Sequence, residues 1–245
     1  MTLCKPWRHL LQQIDEGSDV EDVRAEARRL FDEFGTESCQ ELEVELAARG
    51  ASLEMLREVC DSPQSCHAGG SVDAFRSSLP DGHVLATFID EHAHILRELE
   101  ELAEALAKDD PSWLDVLRVS VFLIGVEPHH AREEQVLFPL LRDRGLEGPP
   151  AVMEKEHEGL RALKHRLHDH AQDALNAADP SENSSRWRTV QRDGAQLVDL
   201  LRQHIDKENN ILYPMALQAI PERRVWQDAR RRCDEIGYCC EKPAT

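Results

Sequence analysis

The sequence predicts an all-α fold, an up-down-up-down four-helix bundle preceded by a small helical module. Three observations carry this. Aromatic residues are only 5% of the 245 residues while charged ones reach 31%, and Ala, Leu, Glu and Arg recur without the alternating Val/Ile/Thr runs that strands need. Four long segments carry apolar residues at alternating three- and four-residue steps, separated by Gly- and Pro-containing breaks. Finally, the segment HHAREEQVLFP, residues 129–139, returns as HIDKENNILYP, residues 204–214.

From the amino terminus, residues 1–62 read as a module of short helices. Ser18 and Asp19 can cap a helix whose Val20, Val23, Ala27, Leu30 and Phe34 form one stripe, with Gly35 ending it and Gly50 ending the next. Residues 63–80 are rich in Gly, Ser and Pro and read as a linker. The bundle is expected over 81–220. Asp81 is the expected cap of a first helix at about 82–107, and Asp110 with Pro111 that of a second at about 112–143. RDRGLEGPP then precedes a third helix from about 150 to 176, and NAADPSENSS a fourth from about 185 to 218. An arginine-rich helix and a Cys-containing tail occupy 221–245.

The net charge is −18, spread along the chain, which disfavours nucleic acid and anionic membrane surfaces as partners. The start, MTLCKPWRHL, lacks an apolar signal core, so the expected location is cytoplasmic. Seven cysteines with no Cys-x-x-Cys pair fit reduced thiols. The spacings of Cys60, Cys66, Cys233, Cys239 and Cys240 match no common zinc or cluster motif.

The repeat selects the chemistry. With His129 laid on His204, Glu133 falls on Glu208 and Pro139 on Pro214; EHAHILREL and EHEGLRAL likewise put His92 on His157. Two copies of one hairpin therefore each supply a lone His and a His-x-x-x-Glu. The expected seams run Phe122, Val126, His129, Glu133, Val136, Leu140 in the second helix and Leu197, Leu201, His204, Glu208, Ile211, Met215 in the fourth. In the first they run Leu85, Phe88, His92, Ile95, Leu99, Leu102, and in the third Met153, His157, Leu160, Leu163, with Lys164 intruding. His130 and Glu134 fall on the flank, and His130, His165, His170 and His94 are assigned to the surface.

At about 1.5 Å of rise per residue, the four histidines and two glutamates reach one slab of the core. Buried carboxylates and imidazoles are costly without a cation, and this N/O set, free of thiolate, suits a dinuclear site. The metal ligands expected are His92, His129, Glu133, His157, His204 and Glu208.

This pattern, with each hairpin closing on Leu-Phe-Pro or Leu-Tyr-Pro, resembles the hemerythrin-type cation-binding domain over about residues 80–220. The resemblance implies two Fe ions in an oxo- or hydroxo-bridged centre that binds O2 or NO. Arg161 stands where respiratory members carry a second His after His157, and Glu208 where they use Asp. The set of four His and two Glu is more similar to bacterial proteins implicated in repairing iron–sulfur clusters and resisting nitrosative stress. Residues 8–60 also resemble a small domain found ahead of such bundles, a candidate surface for a protein partner, although Pro63 replaces the His of its Cys-Asp-x-His. The expected function is O2 or NO binding for sensing or stress response. The alternatives are a cluster-repair factor or diiron redox enzyme, and a metal-free helical scaffold. No separate catalytic acid, base or nucleophile constellation is present, which leaves enzymatic activity open.

Overall fold

A computed structural model describes residues 72–177 and 183–239, together with Arg29. Apart from Arg29, the expected amino-terminal module lies outside these residues, as does Cys240. Among the described residues there is no strand, and no helix is long and apolar enough to cross a membrane. The helices are α1 (Val72–Ser78), α2 (Val84–Leu106), α3 (Trp113–Gly125), α4 (Glu127–Arg132), α5 (Phe138–Arg142), α6 (Gly148–Asn176), α7 (Asn183–Lys207), α8 (Tyr213–Ala219) and α9 (Arg223–Ile236). Two π-helical turns, π1 (Glu133–Leu137) and π2 (Glu208–Leu212), join α4 to α5 and α7 to α8.

These elements make four rods: α2, the run α3–α4–π1–α5, α6, and the run α7–π2–α8. Each rod packs on the next and the last on the first, giving the up-down-up-down bundle. Part of the segment read as a linker is helical. In α1, Val72 and Phe75 lie one turn apart and pack on the bundle, and Arg76 clamps Asp90 through two bonds of 2.7 Å.

The helix starts differ from expectation for local reasons. His83, not Asp81, caps α2: its Nδ1 accepts from the Leu85 N–H at 3.2 Å. Asp81 sits in the turn before it, where Gly82 adopts φ 71°, a left-handed conformation glycine takes without a Cβ penalty. Ser112, beyond Asp110 and Pro111, precedes α3 and bonds Asp115 rather than the helix backbone.

The second rod is not a continuous helix. α3 ends at Gly125 and is capped by Val126, whose ψ is 0°, and the His129 N–H bonds the Val126 carbonyl at 2.8 Å, a tightened turn spanning Pro128. Further along, Pro139 has no N–H to offer the carbonyl of Gln135, four residues before it, and its ring would crowd that carbonyl. The turn widens instead: the Phe138 N–H reaches back five residues to Glu133. The fourth rod repeats this before Pro214, where the Tyr213 N–H bonds the Glu208 carbonyl. The freed Gln135 carbonyl accepts from Arg232 of α9.

The extra residue in each wide turn corrects the expected seams. Beyond Glu133 the buried positions are Val136, Leu137, Phe138 and Leu141, with Leu140 only half-buried; beyond Glu208 they include Leu212, Tyr213 and Met215, with Ile211 half-buried. Leu123 likewise takes the buried place expected for Phe122. The seam of the first rod is buried throughout, and in the third rod Lys164 is buried as well.

Two apolar cores result. One gathers Leu85, Phe88, Phe138, Met153, Tyr213 and Met215, and is closed by Trp226, Ala229 and Cys233 of α9. The other contains Leu99, Leu102, Val119, Leu167, Trp187 and Leu197. Between them lies a polar layer.

Candidate metal centre

All six expected residues lie in that layer, and all are buried. Each histidine has the same orientation. Nδ1 of His92 donates to Asn209 Oδ1 (2.8 Å), that of His129 to Glu91 (2.7 Å), that of His157 to Glu134 (2.7 Å) and that of His204 to Glu156 (2.8 Å). An acceptor on Nδ1 fixes the tautomer, so in the neutral ring Nε2 carries a bare lone pair. All four Nε2 atoms turn inward. Those of His92 and His129 are 3.0 Å apart, an arrangement of two acceptors that repels unless something positive joins them.

The carboxylates span the layer. Glu208 Oε2 lies 3.2 Å from His92 Nε2, while its Oε1 lies 3.0 Å from His204 Nε2 and 3.7 Å from His157 Nε2. Glu133 Oε2 lies 3.5 Å from both His129 Nε2 and His157 Nε2. Its other oxygen accepts from the Tyr213 hydroxyl at 2.7 Å. The atoms left in the centre are orphans. Glu133 Oε2, both oxygens of Glu208, and Nε2 of His157 and His204 are buried and have no hydrogen-bond partner. Native interiors seldom leave such atoms unmet.

Electrostatics point the same way. Burial, reinforced by neighbouring Glu208, pushes the Glu133 carboxyl well above its usual range. Burial opposes ionisation of Glu208 too, but His204, His157 and His92 outweigh it and hold that carboxyl well below. Burial disfavours the imidazolium of His204, yet Glu208 and Glu156 raise it to about 9. A proton there takes the part of a cation. Around the rim, burial disfavours the Glu91 carboxylate, but His129 and Arg132 lower it to about 2, so it remains a strong acceptor for His129.

The donors divide by position. His92, His129 and Glu208 offer ligand atoms within 4.8 Å of one another, as do Glu133, His157 and Glu208. These groups hold most of the orphaned atoms, and His204 Nε2 lies beside Glu208 Oε1 at 3.0 Å. A nitrogen and carboxylate set of this kind fits iron.

Three parts of the layer were missed or misplaced in the sequence. His130, assigned to the surface, is buried against His157; the tightened turn at Pro128 and the place of this rod between α2 and α6 bring consecutive histidines inside. Glu134, expected on the solvent flank, orients His157 and pairs with Arg161 at 2.9 Å. The supports Glu91, Glu156, Asn209 and Tyr213 were not anticipated. One signal was available: Glu91 and Glu156 each precede a repeated histidine in the shared Glu-His pair. His94 and His165 are exposed as expected, and His170 is half-buried.

The hemerythrin HHE cation-binding domain matches residues 83–216, a span containing all six central residues. The chain belongs to that family. It is 30% identical over 207 residues to the iron–sulfur cluster repair protein YtfE of Escherichia coli O17:K52:H18 (strain UMN026), covering 78% of this chain and 91% of that protein. The protein of the same name from Shigella boydii serotype 4 (strain Sb227) matches to the same extent.

Proposed function

We propose that this chain holds two iron ions in the polar layer and acts in repair of iron–sulfur clusters damaged by nitrosative stress. His92 and His129 would hold one iron, His157 and His204 the other, and Glu133 and Glu208 would bridge them. The observation that carries the iron pair is the common orientation of the four imidazoles, each anchored through Nδ1 and each aiming Nε2 at unpartnered carboxylate oxygens. Iron held this way supplies redox chemistry and open positions for NO or O2. The protein's own part is to orient the donors, bury them and balance their charge.

The names of the relatives favour repair over the sensing role first expected, and the donor set disfavours a metal-free scaffold. Repair within the cytoplasm also suits a chain whose seven cysteines show no pairing pattern. The test is reactivation of an iron–sulfur dehydratase inactivated by NO. Iron-loaded protein should speed recovery at least several-fold over free iron, and Glu133→Ala should not. Reversible NO or O2 binding without any such recovery would favour sensing.

A further inference from the structure

We infer that Tyr238 is a positioning residue for the His129 side of the proposed iron pair: its ring seals Arg132, and it acts through Arg132 and Glu91 on His129. The inference rests on the iron pair and deepens it. Arg132 is 1% exposed and is the largest of the fully buried side chains. At that depth a guanidinium needs a carboxylate and cover from water. Its Nη2 donates to Glu91 Oε2, and its Nε donates to the Pro128 carbonyl at 3.1 Å. Aromatic rings supply cover: the guanidinium carbon lies over the Phe88 ring, 5.1 Å from its centroid, and over the Tyr238 ring at 4.6 Å. Phe88 belongs to α2 inside the bundle, whereas Tyr238 belongs to the tail that follows α9 and is only half-buried.

The tail is held where it lies. Gly237, at φ 99°, ends α9 in a conformation that a Cβ would disfavour, and the Tyr238 hydroxyl donates back to Asp234 at 2.5 Å. Cys239, the next residue, has a ligand atom within 4.8 Å of those of Glu91 and His129, so the tail lies against the carboxylate as well as the guanidinium. What it covers is a shared acceptor. Glu91 Oε2 accepts from His129 Nδ1 at 2.7 Å and also from Arg132. Each N–H draws on charge that the other would otherwise receive, so the Arg132 bond sets how far Glu91 enriches the His129 ring. Glu134 Oε1 is shared in the same way between His157 at 2.7 Å and Arg161 at 2.9 Å, but the Arg161 side chain is 28% exposed against 1% for Arg132. Water screens the Arg161 pair; at Arg132 the Tyr238 ring keeps water out. Removing that ring would hydrate Arg132, leave more of the carboxylate charge to His129, and admit water toward the iron. Each effect favours the more positive ferric state.

Redox titration of the iron-loaded full-length protein tests this. Tyr238→Ala should lower the midpoint potential while iron content stays at the wild-type value. Tyr238→Phe, which keeps the ring and loses the Asp234 bond, should keep the wild-type potential, as should Leu114→Ala at an exposed apolar residue. In an Arg132→Met background the intermediary is gone, and Tyr238→Ala should then produce a smaller shift than it does in wild type. Iron bound at an unchanged potential in Tyr238→Ala, a shift of the same size without Arg132, or a Tyr238→Phe potential equal to that of Tyr238→Ala would overturn the inference and leave the iron pair standing. Failure of wild type to bind iron would overturn the pair and this inference together. Should Arg132→Met not fold, proton exchange at Arg132 Nε decides, read by 15N-arginine NMR of the full-length protein loaded with zinc. Faster exchange in Tyr238→Ala than in wild type and Tyr238→Phe supports the seal, and equal rates overturn it.

Discussion

The Tyr213 hydroxyl donates to Glu133 Oε1 at 2.7 Å, joining the first residue of α8 to the first residue of π1 across the bundle. Tyr213 is buried, and its ring stacks on His92 with centroids 5.6 Å apart, so one side chain steadies a carboxylate and an imidazole together. Tyr213→Phe keeps the ring and removes the bond. The expected result is iron affinity lowered about tenfold, the lower end of what a lost supporting contact costs, with the fold retained. Competition with a chelator measures it. Unchanged affinity would mean that packing alone positions Glu133.

Removal of central donors should be more severe. His129→Ala and Glu133→Ala each remove a proposed ligand and strand buried partners, so iron content should fall from about two to below one per chain. Glu134→Ala should also weaken binding, by about 10–100-fold, because Glu134 fixes the His157 ring. From the sequence alone, with Glu134 on the solvent flank, no effect was expected. Iron quantified after desalting distinguishes the two expectations.

Acid sensitivity should arise in part from a residue remote from the metal. His83 caps α2 as a neutral acceptor and packs on Trp226 with centroids 4.6 Å apart. Burial lowers its pKa from 6.5 to about 4. The unfolded chain thus binds the proton more readily, so this stabilisation is complete above about pH 6.5 and is lost as pH falls toward 4. Asn is a good cap that does not titrate. His83→Asn should therefore show a shallower fall in Tm between pH 6.5 and 4 than wild type. Parallel curves would show that His83 is not the sensor.

Metal binding and folding should be linked, because the proposed ligands come from all four rods. Chelation is expected to lower Tm, by an amount that grows with the iron affinity. A chain beginning at Val72 should fold and keep its iron, since every central residue lies between His92 and His204 or Glu208. Iron loss on that truncation would assign a ligand to the amino-terminal segment, with Cys60, Cys66 and His67 the first to test.

The bundle and its six central residues were legible because periodicity and an internal repeat are properties of local sequence. A three- and four-residue step fixes which face turns inward, and twofold repetition shows which polar residues belong there. The rim was less legible. Glu91, Glu156 and Asn209 are ordinary helix-surface residues by composition, and each becomes a support only when a neighbouring rod brings a histidine to it. His130 was misassigned because a regular helix cannot turn two consecutive residues fully inward; the altered turn at Pro128 and contact with two neighbouring rods make that possible. The seams beyond Glu133 and Glu208 slipped because a regular period does not include the extra residue of a π turn.

That π turn yields the last prediction. Pro139 and Pro214 follow π1 and π2 at equivalent positions, and each removes the N–H that would otherwise close a regular helical turn. Pro139→Ala restores a donor opposite the Gln135 carbonyl, which now relies on Arg232. A regular turn then becomes available, and adopting it would remove the extra residue and rotate the chain beyond it by about 100° relative to Glu133. Leu141 would leave the core or Glu133 would leave the centre. The double variant Pro139→Ala/Pro214→Ala is expected to gain intrinsic helix propensity yet lose iron affinity by at least tenfold, with one single variant in between. Circular dichroism and iron titration on the same samples read both quantities. Retention of wild-type iron affinity by the double variant would show that core packing around Phe138 and Tyr213, rather than the prolines, holds the wide turns open.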